Sequence, residues 1–144
     1  MRRNPRTAAC GALLMLMLGA AVATASASTT LPLGTSPQIP AAQGKVRLRT
    51  TQNGNLEIKL TVKHLAPPER VVSGSNVFVV WVRGLAADAE AQNVGALIVD
   101  KHLNGKLTAA TALSSFDLFI TCEQAQAVTH PRSPELLPVH YSRQ

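Results

Sequence analysis

The chain has 144 residues, which is enough for one domain with a single core and too few for two. Hydrophobic residues make up 46% and charged residues 15%, a composition that excludes an intrinsically disordered chain. The formal net charge is +6 and aromatic residues are only 3% of the sequence, which is few for a protein that binds single-stranded nucleic acid by base stacking.

The N-terminus has the three parts of a secretory signal peptide. Three arginines within the first six residues precede an apolar run that is densest over residues 13–18. Ala25-Ser26-Ala27 then matches the small-x-small pattern that signal peptidase cleaves. The apolar run is shorter than the ~20 residues that span a bilayer, so we predict a cleaved signal-peptide helix over residues 1–27 and not a retained anchor. Cleavage after Ala25 is the alternative, and either site predicts export through the Sec pathway, to the periplasm or outside the cell.

Removal of this leader changes the charge and the cysteine content. Three of the 14 basic residues leave with it, so 11 basic residues face 8 acidic ones and the net charge falls to +3. Strong basicity therefore belongs partly to the leader, and we expect no nucleic-acid partner. Cys10 also leaves, which makes Cys122 the one cysteine of the mature chain and rules out an intramolecular disulfide there.

The mature chain begins with a segment rich in proline and small polar residues. Residues 28–44 contain Pro32, Pro37 and Pro40, and we predict an extended, flexible leader over this range. Apolar and polar residues alternate with a period of two from Lys45 onward, which indicates strands. Residues 45–144 are therefore predicted to form one β-domain.

The first two predicted strands form a hairpin whose register follows from the pattern. A two-residue turn at Asn53-Gly54 would place Leu48 opposite Lys59, which mixes an apolar and a charged side chain on one face. A three-residue loop that also includes Gln52 pairs Leu48 with Ile58 instead. We therefore predict the longer loop, with Gly54 in the left-handed conformation that its bulge requires.

The polar side of this hairpin carries the one concentration of charge in the mature sequence. It presents five basic residues against one acid, Glu57; the five are Lys45, Arg47, Arg49, Lys59 and Lys63. Arg47 lies opposite Lys59 in the predicted register, and two like charges destabilise a hairpin unless water or an anion surrounds them. This face is the candidate anion-contacting site, and a solvated edge whose lysines prevent aggregation is the alternative.

Further strands follow at intervals of about ten residues. Residues 77–82 are apolar on both faces, which predicts a central strand with Trp81, or its neighbours Phe78 and Val80, buried in the core. Strands are also predicted over residues 94–99, 106–111, 116–122, 126–129 and 136–141, with Cys122 on the core side of its strand. Seven or eight short antiparallel strands with regular turns predict an all-β fold, an immunoglobulin-like β-sandwich.

The sequence contains no motif that is typical of catalysis or ligand binding. The four histidines and Cys122 lack the close spacing of metal ligands, and Ser73-Gly74-Ser75 lacks the flanking glycines of a nucleophile elbow. The sequence therefore predicts no catalytic, cofactor or metal site. The leading expectation is a non-enzymatic domain that binds or scaffolds, and the alternative is a small secreted hydrolase or isomerase with a dispersed site.

Residues 76–131 resemble the extracytoplasmic domain of anti-sigma-K-type factors and related stand-alone envelope domains. The similarity lies in a strand ending in Val80-Trp81-Val82, then Asn93-Val94-Gly95-Ala96-Leu97, then an apolar strand that ends near Thr121-Cys122-Glu123. It implies an immunoglobulin-like sandwich outside the cytoplasmic membrane. The basic side of the first hairpin, in turn, makes an envelope protein, an anionic lipid or a cell-wall polymer the expected partner. Anti-sigma factors carry a sigma-binding segment and a transmembrane helix before this domain, so the resemblance transfers neither sigma-factor binding nor any site residue.

Overall fold

Strands dominate the described chain. The computed structural model describes residues 27–144, so the predicted signal peptide lies outside them except for its last residue, Ala27. The elements, in chain order, are β1 (Ser28–Pro32), β2 (Gln43–Thr50), β3 (Leu56–Lys63), the single helical turn α1 (Pro68–Val71), β4 (Val77–Gly84), β5 (Ala91–Ala96), β6 (Ile98–Val99), β7 (Gly105–Thr111), β8 (Ser115–Glu123) and β9 (Leu136–Ser142). The all-β prediction is confirmed. Within residues 27–144 no helix has the length and apolar character needed to cross a membrane.

The strands form two antiparallel sheets that enclose one main core. The five-stranded sheet has the order β1-β2-β3-β7-β6, and the four-stranded sheet has the order β5-β4-β8-β9. Ile58 from the first sheet, and Phe78 and Ile120 from the second, are fully buried members of the same apolar cluster. Two sheets that bury facing apolar surfaces in this way make a β-sandwich.

The first hairpin has the predicted register. Leu48 pairs with Ile58, Arg49 with Glu57, and Arg47 lies opposite Lys59. Gly54 has a φ of +81°, the left-handed conformation expected for the last residue of the three-residue loop. The alternation of side chains and the residues of the turn are sufficient to predict this register, because the paired residues are at most twenty positions apart.

The structure differs from the prediction of a flexible leader over residues 28–44. Ser28–Pro32 forms an edge strand that pairs antiparallel with β2. The rest of the segment packs on the sandwich, because Ile39 and Ala42 are buried and Ser36 Oγ accepts a hydrogen bond from the Leu137 backbone N–H. Proline ends β1 but does not prevent it, since an edge strand tolerates a residue without a backbone donor.

Two other strand predictions need correction. The strand predicted over residues 94–99 is divided between the sheets: β5 ends at Ala96, Leu97 donates its backbone N–H to the Phe78 carbonyl, and β6 begins at Ile98 in the other sheet. Residues 126–129 form no strand. They belong to a loop that crosses the outer face of the four-stranded sheet, where the side-chain amide of Asn93 donates to the carbonyls of Gln126 and Val128.

Trp81 belongs to a second, smaller apolar cluster. Phe78 and Val80 are buried in the main core as predicted, and Trp81 is also fully buried. Trp81, however, points to the outer side of the four-stranded sheet, where it packs with Val79 and Phe119. The loop over residues 124–135 covers this side, so β4 is buried on both faces, as its continuous apolar sequence indicates.

Candidate functional site

The outer face of the five-stranded sheet carries all the basic residues that the sequence predicted as a site. They stand on two adjacent strands and are exposed: Lys45, Arg47 and Arg49 on β2, and Lys59 and Lys63 on β3. Buried residues such as Val46, Leu48, Ile58 and Leu60 alternate with them. Side chains of a strand point alternately to opposite faces. Because the apolar side chains point into the core, the basic side chains between them must point into solvent.

The structure adds Lys106 to this face. Lys106 on β7 pairs with Thr61 on β3, which in turn pairs with Lys45 on β2, so the three side chains lie side by side. Sequence reasoning predicted the strand over residues 106–111 but not its place beside β3. Hairpin partners can be predicted from local pattern, whereas the pairing of strands forty residues apart depends on the whole sheet. We define the basic face as Lys45, Arg47, Arg49, Lys59, Lys63 and Lys106.

Glu57 is the acid that offsets part of this charge. It forms ion pairs with Arg49 at 3.2 Å and with Lys59 at 3.6 Å. Both pairs are solvent-exposed, so each contributes about 0–1 kcal/mol to stability. Arg47, beside Lys59, makes no ion pair with any described residue and donates one long hydrogen bond, 3.3 Å, to Ser28 Oγ.

Charge is distributed unequally between the two sides of the domain. The basic face holds six of the 11 basic residues between positions 28 and 144 and one of the eight acids there, Glu57, a local charge of +5. The remaining five basic and seven acidic residues give −2. Residues 28–144 therefore have a small net charge, +3, that is unevenly distributed. The positive face attracts and orients anions in solution.

Hydroxyl groups lie among the cations of the basic face. A shallow depression of about 400 Å³ is lined by Ser28, Thr30 and Thr61 together with Lys45, Arg47 and Lys59. Hydroxyl, ammonium and guanidinium groups can all donate to the oxygens of phosphate or carboxylate groups, and hydrogen bonds to such ions are the stronger class. The cations are spread over three adjacent strands, which suits an extended ligand better than a compact one.

A second polar pair lies on the four-stranded sheet. His140 Nδ1 and Asp117 Oδ1 are 2.7 Å apart, on adjacent positions of β9 and β8, and both residues are exposed. The hydroxyls of Ser115 and Ser142 lie next along the same strands and contact each other at 3.4 Å. This pair could not be predicted from the sequence, since only the β8–β9 register brings the two residues together. Within residues 27–144 no group of three or more His, Cys, Asp and Glu side chains is placed to hold a metal ion.

Cys122 is buried in the main core, as its strand pattern predicted. Burial, aided by the negative charge of neighbouring Glu123, raises the pKa of the Cys122 thiol from 9.0 to about 12. The thiol therefore keeps its proton in the folded protein at every physiological pH, and a protonated, buried thiol is a poor nucleophile.

We expect Cys122 to resist modification by a maleimide at about pH 8 in the native protein and to react once urea unfolds it. Because the folded pKa is raised, the unfolded chain loses this proton first, so the thiol's contribution favours folding below pH 9.0 and is lost as pH rises toward about 12. Measuring the fraction of Cys122 that reacts with maleimide at increasing urea concentration tests the expected protection of the thiol by folding. Stoichiometric labelling of the folded protein at about pH 8 would contradict the assignment.

Comparison of the chain with protein-family models, with curated proteins and with solved structures found no match.

Proposed function

We propose that the protein is an exported, non-enzymatic envelope domain that binds an anionic polymer through the basic face. The observation that carries this proposal is the concentration of a +5 local charge on one flat sheet surface, while the rest of the mature chain is net negative. Protein stability does not require this arrangement, since Arg47 and Lys59 are placed opposite each other at a cost in free energy. A bound anion would remove that repulsion.

A polymer fits the basic face better than a membrane surface does. Peripheral membrane proteins combine basic residues with several apolar side chains that enter the lipid. Among the described residues the exposed large hydrophobic side chains are Leu85 and Ile98, and Ile98 alone lies on the five-stranded sheet, opposite Lys106. The cations instead extend across β2, β3 and β7, so a chain with repeated phosphate or carboxylate groups can contact several of them at once.

The proposal also includes export to the cell envelope and an immunoglobulin-like type of sandwich. The leader over residues 1–27 supports export, and the predicted resemblance to the extracytoplasmic domain of anti-sigma-K-type factors supports an immunoglobulin-like sandwich in the envelope. The proposed partners are thus polymers outside the cytoplasmic membrane, where nucleic acid is not the expected ligand. No membrane span is expected to remain after cleavage.

A small secreted hydrolase is the second candidate, and the Asp117–His140 pair is the observation that favours it. A histidine oriented by a carboxylate is the base of a nucleophilic site. The nearby serine hydroxyls, however, contact each other across β8 and β9, and both members of the pair are exposed to water on a sheet surface. No described serine hydroxyl is hydrogen-bonded to His140, so the pair lacks the nucleophile–base contact of such a site, and we favour the binding function.

The test is binding of the protein to a soluble poly(glycerol phosphate), with a neutral glucan and phosphatidylglycerol vesicles as comparisons. We expect binding to the anionic polymer that weakens progressively as salt is raised from low ionic strength through ~0.15 M, where exposed charges are screened beyond about 8 Å. Equal binding to the glucan, or binding to vesicles in preference to the polymer, would overturn the proposal. Hydrolysis of an ester substrate that is lost in His140→Ala would favour the enzyme instead.

A further inference from the structure

A half-open cavity of about 490 Å³ lies at the end of the four-stranded sheet, away from the basic face. The loop over residues 124–133 forms one wall, and the turn that includes Ser75 forms another. Its volume falls within the roughly 300–1,000 Å³ of small-molecule sites. Three polar side chains that line it carry the argument: Ser75, Glu123 and Arg132.

Glu123 is a buried carboxylate with one oxygen fully engaged. The side chain is 3% exposed, and its Oε1 accepts hydrogen bonds from the Thr121 hydroxyl at 2.7 Å and from the Arg132 backbone N–H at 2.9 Å. The Thr121 hydroxyl itself accepts a hydrogen bond from Trp81 Nε1 at 2.8 Å. This chain of donors, all pointing toward Glu123, fixes the carboxylate in one orientation.

The second oxygen of Glu123 has no donor in the described part of the chain. The Ser75 hydroxyl, in a residue that is also 3% exposed, likewise makes no hydrogen bond to a described residue. No fully buried side-chain nitrogen or oxygen within residues 27–144 lacks a partner, so both atoms retain some accessible surface, and both residues line the cavity. Glu123 is thus a buried carboxylate in which one of the two oxygens accepts no hydrogen bond. Such a group favours binding of a cationic ligand.

Arg132 supplies the opposite charge without neutralising Glu123. It lines the same cavity, yet its guanidinium is not among the ion pairs within 4.0 Å that the described residues form. Glu123 and Arg132, which form no ion pair with each other, therefore line one cavity, with Glu123 buried and Arg132 exposed. The loop that holds them is fixed in place, because Asn93 Nδ2 bonds the Val128 carbonyl at 2.8 Å and the Ser133 hydroxyl donates to the Cys122 carbonyl.

We infer that this cavity binds a small zwitterionic amino compound, an amino acid or a short peptide with free ends. The ligand's ammonium group donates to Glu123 Oε2 and to Ser75 Oγ, and its carboxylate accepts from the Arg132 guanidinium. Both contacts are charge-assisted hydrogen bonds, and a guanidinium binds a carboxylate through two parallel donors. The ligand adds no net charge to the cavity and gives each unpaired group a partner. This site is independent of the proposed polymer-binding function.

Trp81 provides the reporter for a direct test. It is the one tryptophan of the chain, so the indole N–H gives a single NMR signal, and Thr121 connects it to Glu123. The protein, purified in the form its host produces, is titrated separately with alanylalanine, ethylammonium chloride and sodium propionate up to about 10 mM. We expect alanylalanine to shift the indole signal saturably, and to bind at least about tenfold more tightly than either single-charge compound.

Three variants separate the roles of the two charges. Glu123→Gln keeps an oxygen that can accept from Thr121 but removes the charge, and should weaken alanylalanine binding at least about tenfold. Arg132→Gln should reduce alanylalanine affinity to that of ethylammonium, and it keeps the proposal testable if Glu123→Gln fails to fold. Glu57→Gln, on the other sheet, should bind as the wild type does. Absence of any indole shift, equal affinity for ethylammonium and alanylalanine, or unchanged binding in Arg132→Gln would overturn the proposal.

Discussion

Replacing Trp81 with alanine is expected to lower the free energy of unfolding by about 3–5 kcal/mol. The indole is fully buried against Val79 and Phe119, outside the main core, and its loss leaves a large void under the loop over residues 124–135. It also removes the donor at 2.8 Å from Thr121 Oγ1. Domains of this size are stable by about 5–15 kcal/mol, so this one substitution removes a large share of the total.

Trp81→Phe is the matched control for packing. It keeps an aromatic ring against Phe119 and removes the hydrogen bond to Thr121, and we expect it to cost about 1–3 kcal/mol. Urea unfolding followed by circular dichroism measures both variants, because the fluorescent reporter is absent from each. A loss below about 1 kcal/mol for the alanine variant would show that the second cluster does not stabilise the fold.

Features set by neighbouring residues could be predicted from the sequence. The β2–β3 hairpin is the clearest case, since the requirement that Leu48 and Ile58 share a face excludes the shorter turn, and the structure has the predicted pairing. Cys122 was likewise placed on the core side by the alternation of β8. Both inferences rest on the two-residue period of a strand, which operates within a few residues.

Features that depend on distant partners could not be predicted. Ser28–Pro32 has the composition of a flexible segment, and it becomes a strand because β2 offers a free edge. Lys106 joins the basic face because β7 pairs with β3, and Asp117 meets His140 because β8 pairs with β9. The cavity beside Glu123 exists because a loop crosses the outer face of the four-stranded sheet. Residues 126–129 of this loop have the composition of a strand, so the loop could not be predicted from them.

Reversing charge at Arg47 and Lys59 should weaken polymer binding at least about tenfold, which is about 1.4 kcal/mol. The two residues are opposite each other at the centre of the basic face, and the Arg47→Glu/Lys59→Glu double variant lowers its local charge from +5 to +1. The variant should fold normally, because exposed substitutions usually change stability by about 0.5 kcal/mol or less. The double reversal places two carboxylates opposite each other where two cations stood, so the cross-strand repulsion is retained with its sign reversed.

The matched control reverses an arginine and a lysine elsewhere. Arg70 in α1 and Lys101 in the turn before β7 are exposed and lie off the basic face. Arg70→Glu/Lys101→Glu has the same net charge as the first double variant, −1 over residues 28–144, so a difference between the two reports the position of the charge and not its total.

Calorimetric titration of poly(glycerol phosphate) into the wild type and both double variants at low salt tests the central claim most directly. The account predicts that Arg70→Glu/Lys101→Glu retains most of the wild-type affinity, whereas Arg47→Glu/Lys59→Glu loses at least about tenfold while its urea midpoint is unchanged. Equal affinity for the two double variants, or wild-type binding by the folded Arg47→Glu/Lys59→Glu protein, would contradict it and leave the basic face as a solvated sheet surface.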